Sequence, residues 1–214
     1  MVKVKICGIT NLDDAIKACE HGADLLGFVF VEGTPRYAGE DKAKDIISRL
    51  PRKHKIRIDR VGLFADDDIN RIVEAVSYCD LNYIQLHGQE DLYYCKQLKK
   101  RLPDHKILKA IKVKDGSSLK GITDYDGVDF FLFDYFSEDV LGGSGKIFNW
   151  DILKARKFNK SFFLAGGLNP KNVASAVRAV KPYGVDVSSG VEKEPGIKDE
   201  IKVKEFIANA KSAG

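Results

Sequence analysis

No stretch of this 214-residue sequence is both long and apolar enough to cross a bilayer. The longest apolar run, Ala23 to Val31, is broken by Asp24 and falls well short of the ~20 residues a membrane helix needs. Cysteine is sparse too. Cys7, Cys19, Cys79 and Cys95 form no C-x-x-C pair and no Cys/His ligand spacing, so no metal site and no redox motif is expected. Strong charge of either sign is also missing, because 35 basic residues against 31 acidic ones leave only +4. The lysines are scattered among acids, as on solvated helix faces, which argues against a nucleic-acid partner. The densest basic stretch, Pro51-Arg-Lys-His-Lys-Ile-Arg57, falls between a helix and a strand and reads as a solvated loop. No Pro- or Ser-rich linker divides the chain, so residues 1–214 are expected to form one domain. Met1-Val-Lys-Val-Lys starts directly with strand-like alternation, so no signal peptide and no membrane partner are expected. A cytoplasmic location with reduced thiols follows.

What is present is alternation. Strand-like runs recur at Val2–Cys7, Leu25–Phe30, Ile58–Phe64, Tyr83–Leu86, Ile107–Ile111, Phe130–Phe133, Phe162–Leu164 and Gly184–Val187. Helical patterns lie between them. Leu12, Ala15, Ile16 and Cys19 follow a capping Asn11; Ile69, Ile72, Val73 and Val76 follow an acidic run; Leu92, Cys95 and Leu98 come next. Val203, Phe206, Ile207 and Ala210 close the chain behind Asp199. Strict β-then-α alternation implies a parallel sheet with right-handed crossovers, and about eight strands close a (β/α)8 TIM barrel. The rival, an open doubly wound sheet, would bind nucleotide at the first strand–helix turn, and Cys7-Gly-Ile-Thr10 lacks G-x-G-x-x-G.

Two glycine-bearing segments carry most of the functional information: Leu164-Ala-Gly-Gly-Leu-Asn-Pro170 and Asp186-Val-Ser-Ser-Gly-Val-Glu192. Each follows a short apolar run that reads as a buried strand. Asn169 suits a helix cap, Pro170 the first helical position, and Val173, Val177 and Val180 the inward stripe. Glycines there let backbone N–H groups approach an anion beside the positive end of a helix. The tandem matches the phosphate cradle after strands 7 and 8 of such a barrel, in preference to a pair of tight turns.

Catalytic groups of (β/α)8 barrels stand at the C-terminal strand ends. Cys7 ends the first strand, either as a buried small hydrophobe or as a thiolate acting as base or nucleophile. Asp134 follows four apolar residues of the sixth, where partial desolvation favours a general acid. Asp186 either accepts hydrogen bonds from a substrate or braces a loop. His87, in Gln85-Leu-His-Gly88, either faces the mouth or is turned away by alternation. Arg36, just after a turn-fixing proline, is either a carboxylate clamp or a plain surface arginine. Gly142-Gly-Ser-Gly145 reads as a mobile or phosphate-facing loop. Cys7 and Asp134 fall three strand steps apart, which predicts that they face each other across the mouth without touching.

Taken in order, Lys5-Ile-Cys-Gly-Ile-Thr10, Thr34-Pro-Arg-Tyr37, Gln85-Leu-His-Gly88, Asp134, Gly142–Gly145 and the two glycine segments strongly resemble the phosphoribosylanthranilate isomerases of tryptophan biosynthesis. The resemblance spans the chain. It implies an isomerase that performs an Amadori rearrangement on a small phosphosugar without a cofactor. It further implies Cys7 as general base, Asp134 as general acid, Arg36 against the anthranilate carboxylate, and Asp186, with His87, among the substrate contacts. Gly166, Gly167, Ser188, Ser189 and Gly190 are implied to hold the phosphate. A thiolate base would need a lowered pKa, with Lys5 as the candidate helper. Phe148-Asn-Trp150 departs from the family's Phe-Asp-Trp, and Asn caps a helix as well as Asp. The related aminoaldose isomerase of histidine biosynthesis, and an idle phosphate-binding barrel, are the alternatives. The assembly is either a monomer or a homodimer.

Overall fold

The computed structural model describes residues 1–50, 58–135, 149–154 and 156–214. Strands and helices run β1 (Lys3–Cys7), α1 (Leu12–Glu20), β2 (Leu25–Val29), α2 (Glu40–Ser48), β3 (Asp59–Phe64), α3 (Ile69–Cys79), β4 (Tyr83–Leu86), α4 (Leu92–Arg101), β5 (Lys106–Val113), β6 (Phe130–Tyr135), α5 (Asp151–Lys154), β7 (Phe162–Leu164), α6 (Val173–Val180) and β8 (Gly184–Val187). The strands pair in parallel and in sequence order, and β8 returns to β1 with Lys5 opposite Asp186, closing the (β/α)8 barrel. A hairpin, β9 (Glu192–Glu194) and β10 (Ile197–Lys198), and the helix α7 (Glu200–Ala213) complete the chain.

Side chains alternate between two cores, as a parallel sheet covered on both faces requires. Leu25, Val61, Leu108, Ala110, Leu132, Phe163 and Ala165 pack together inside the barrel. Val4, Ile6, Phe28, Ile84, Phe131 and Val185 point outward into the layer shared with the helices. Aromatic rings seal the floor, where Phe130 packs 4.9 Å from Tyr183 and 5.7 Å from Phe163.

Helix starts follow their caps. Asn11, Asp68, Asp91 and Asp199 each accept a hydrogen bond from a first-turn N–H, a contact worth about 0.5–2 kcal/mol. Val203, Phe206, Ile207 and Ala210 are all buried, as the spacing predicts. In α1 the buried face is rotated to Asp14, Ala15, Ala18 and Cys19, with Leu12 and Ile16 only half-buried. Asn149 accepts from the Asp151 N–H at 3.0 Å, so this asparagine does cap α5.

Strict alternation does not hold throughout. After β5 the chain makes two 3₁₀ turns, Gly116–Leu119 and Ile122–Asp124, and no α-helix. Gly116, Ser117 and Ser118 are poor helix formers, and Gly121 at φ +71° ends the first turn. Helix α6 begins three residues later than Pro170 suggests. The Asn172 side chain accepts from the Asn169 N–H and donates to the Gly167 carbonyl, while Asn169 accepts from the Lys171 N–H. These side-chain bonds favour a turn over another helical residue. Val173, Ala176 and Val177 form the buried stripe, with Val180 half-buried. The stretches Pro51–Arg57 and Gly142–Gly145 lie outside the described residues.

Candidate active site

Cys7 is the last residue of β1 and shares its inward face with Lys5. Lys5 has no exposed surface, and its Nζ donates to Asp186 Oδ1 at 2.9 Å. Gly27 lies opposite Cys7 on β2. A Cβ there would stand 2.8 Å from the Cys7 sulfur and 3.0 Å from Lys5 Nζ, so glycine is what leaves room for the thiol and the ammonium. Burial pulls the Lys5 ammonium down, but the Asp186 charge and hydrogen bond hold it above its ordinary value. The thiol does not have the expected lowered pKa. Burial pushes it up, and Lys5 pulls it back only in part, helped by Lys198 and opposed by Asp186. Cys19, Cys79 and Cys95 are core thiols pushed up by burial to about 11, 11 and 12.

Arg36 reaches the same side of the mouth from the loop after β2. A turn closed by the Tyr37 N–H to the Thr34 carbonyl presents it, and the Ala38 N–H pins the loop to Val29. Its guanidinium makes a two-pronged pair with Glu192, Nε to Oε1 at 2.9 Å and Nη2 to Oε2 at 2.7 Å. Buried Lys198 binds Glu192 Oε1 from the other side at 2.8 Å and lies 3.4 Å from the Ser188 carbonyl oxygen. Glu192 and Lys198 come from the hairpin that folds back against the loop after β1 and the start of α1, held by Thr10 Oγ1 to the Gly196 carbonyl and the Lys198 N–H to Asp14. The hydrogen bond from Arg36 and the charge of Lys198 overcome burial and keep the Glu192 carboxyl below its usual range.

The other side of the mouth belongs to β4 and β6. Asp134 and His87 both face inward, so alternation does not turn His87 away. His87 Nε2 stands 3.4 Å from Asp134 Oδ2, and Asp134 Oδ1 accepts from the Tyr135 N–H at 2.8 Å. The side chains are about a quarter exposed, 24% for His87 and 26% for Asp134. Below them the fully buried Gln85 contacts His87 Nδ1 through Nε2 at 3.0 Å, while its Oε1 has no partner among the described residues.

Between these two sides lie β7 and β8, and their ends carry the glycine segments. Gly166 and Gly167 have φ of +82° and +69°, left-handed values that favour glycine. The Leu168 carbonyl oxygen occupies the place a Cβ would take at Gly190, which locks the two segments together. Asn172 holds the Gly167 carbonyl, and the N–H groups of Gly166 and Gly167 have no acceptor among the described residues. Ser188, Ser189 and Gly190 are half-buried at the end of β8. The structure thus places Cys7, Arg36, His87, Asp134, Asp186 and the two glycine segments at one end of the barrel, where the parallel strands finish. Glu192, Lys198 and Gln85 are the polar residues of the site to which sequence reasoning gave no role. The carboxylate that closes Asp186–Glu192 was the one available hint.

Comparison with known proteins places this geometry. A family profile described as N-(5'phosphoribosyl)anthranilate (PRA) isomerase matches residues 4–209. The N-(5'-phosphoribosyl)anthranilate isomerase of Pelobacter propionicus is 46% identical over 211 residues, 99% of this chain and 96% of that protein. The crystal structure of phosphoribosyl anthranilate isomerase from Thermotoga maritima superposes with a TM-score of 0.90 at 41% identity, covering 99% of this chain and 100% of the other. A further such isomerase, solved in complex with reduced 1-(o-carboxyphenylamino)-1-deoxyribulose 5-phosphate, gives 0.86 at 39% identity, covering 99% of this chain and 100% of the other.

Proposed function

The chain belongs to the N-(5'-phosphoribosyl)anthranilate isomerase family, and from that premise we propose that Cys7 and Asp134 divide the proton transfers of its reaction. The enzyme rearranges N-(5'-phosphoribosyl)anthranilate to 1-(2-carboxyphenylamino)-1-deoxyribulose 5-phosphate, an isomerisation of tryptophan biosynthesis. Asp134 protonates the furanose ring oxygen as the ring opens to a Schiff base. Cys7, as thiolate, then removes the proton from C2′, and the resulting enolamine tautomerises to the ketone. Burial disfavours the thiolate, and Lys5 and Lys198 are the groups that favour it.

The observation that carries this assignment is placement. The strands that bear the glycine segments, β7 and β8, separate the strand of the acid, β6, from the strand of the base, β1. A phosphate held by Gly166, Gly167, Ser188, Ser189 and Gly190 leaves its sugar between Asp134 and Cys7. Arg36 then takes the anthranilate carboxylate with donors that Glu192 leaves free. Asp186, fixed by Lys5, and His87, beside the acid, are the remaining substrate contacts of this proposal. No described helix is long and apolar enough to cross a membrane. A cytoplasmic monomer or homodimer is part of the same reading. Soaking crystals in phosphate tests the cradle: the anion belongs against the N–H groups of Gly167 and Ser189, and density found only elsewhere refutes the assignment.

A further inference from the structure

We propose that Glu192 is a positioning residue that aims Arg36 at the substrate carboxylate and sets the distance from that clamp to the phosphate cradle; this rests on the reading of Arg36 given above. Arginine has five N–H donors on three nitrogens. Glu192 takes the side edge, Nε and Nη2, at 2.9 and 2.7 Å. The end-on edge, formed by Nη1 and the second hydrogen of Nη2, stays open for a second carboxylate. Two-pronged contact removes the rotation about the last side-chain bonds that a lone arginine would keep, so that edge has one direction.

Glu192 itself cannot drift. Its side chain is 5% exposed, and Oε1 is shared between Arg36 and Lys198. Lys198 is in turn within 3.4 and 3.5 Å of the carbonyl and hydroxyl oxygens of Ser188, the residue that opens the β8 segment of the cradle. A hydrogen-bonded path Arg36–Glu192–Lys198–Ser188 therefore ties the loop after β2 to the phosphate end, although Arg36 and Glu192 are 156 residues apart in sequence. Such a path makes the clamp a gauge of substrate length. It selects ligands whose carboxylate and phosphate are correctly spaced, and it does so without Glu192 touching either group.

Electrostatics alone predicts the opposite sign. A second negative charge beside the clamp repels an anionic ligand, so deleting it should tighten binding. The test is calorimetric titration of the full chain with the reduced product analogue and with its phenylamino counterpart lacking the carboxylate. In Glu192→Ala the carboxylate-bearing ligand should bind ~10–100-fold more weakly and the counterpart within ~3-fold of wild type, as expected for a misdirected clamp. Glu192→Gln keeps the shape and one acceptor, and should show the same one-sided loss at ~3–10-fold. If the alanine variant does not fold, the glutamine variant decides alone. Equal losses for both ligands, or tighter binding of the carboxylate-bearing one, overturn the proposal. Arg36→Met separates the two levels: if it weakens both ligands equally, the carboxylate reading of Arg36 fails. If it discriminates while the Glu192 variants do not, only the positioning role of Glu192 falls.

Discussion

The two sides of the barrel mouth are built differently. Around Cys7 the side chains are charged, mostly buried and mutually bound: Lys5 to Asp186 at 2.9 Å, half-buried Arg36 to Glu192 at 2.7 Å, Lys198 to Glu192 at 2.8 Å. Around Asp134 they are fewer and more open, with His87 at 3.4 Å and both side chains about a quarter exposed. On the roles proposed for Cys7 and Asp134, the contrast follows from two different tasks. A buried thiol resists ionisation, so its side needs fixed cations to make a thiolate attainable. A general acid must recover a proton in every cycle, and partial exposure gives Asp134 direct access to water.

The largest effect should come from removing either protonic group. Cys7→Ala and Asp134→Asn should each lower kcat by ~10²–10⁴, while circular dichroism shows a native fold and the product analogue still binds. A Cys7→Ala enzyme with near-normal kcat would erase the distinction between the sides. Lys5→Met comes next and acts on stability as well as on the thiol. Leaving Asp186 buried without its partner should cost ~3–5 kcal/mol in denaturant unfolding. The Lys5 ammonium is raised in the folded state, so the stabilisation it brings is complete below its unfolded value near ~10.4 and is lost as pH climbs through the folded one. The gap between wild type and variant should therefore be widest at neutral pH and narrow above ~10.4. Because Lys5 pulls the thiol down, its loss should also move the Cys7 ionisation upward. The 240 nm thiolate absorbance of each protein, less that of its Cys7→Ala counterpart, reads this shift. No upward movement would remove Lys5 from the base's environment. On the open side the expected effect is smaller. His87→Asn should lower kcat by ~10-fold or less, with little change in unfolding free energy, because a partly exposed contact contributes ~1 kcal/mol or less. A loss as large as that of Asp134→Asn would place His87 in the proton transfers themselves.

The barrel was legible because its message is local and repeated. Apolar runs, capping asparagines and aspartates, and the α7 stripe of Val203, Phe206, Ile207 and Ala210 each depend on residues a few positions apart. The strand ends were legible for the same reason, and that brought Cys7, Asp134 and the glycine segments into one place. Lys5 was harder to interpret. The sequence offered it only as a candidate helper of Cys7, not as a buried ammonium inside the closed barrel, where Asp186 from the far end of the chain meets it. Glu192 and Lys198 were not legible as site residues, since their roles arise from a hairpin folding back onto Arg36 and Asp14. The missing helix after β5 was a failure of pattern, where Ser- and Gly-rich sequence outweighed the expected alternation.

The central claim is that acid and base address one sugar from opposite sides while its two ends are held. A crystal structure of this enzyme with the reduced product analogue tests it most directly. The phosphate should lie against the Gly167 and Ser189 N–H groups and the carboxylate on the open edge of Arg36. The Cys7 sulfur and the Asp134 carboxylate should flank the C1–C2 unit and the ring-derived hydroxyl from opposite faces, each within ~3–4 Å. A ligand with both groups on one face, or with the sulfur turned away from C2, would contradict the account.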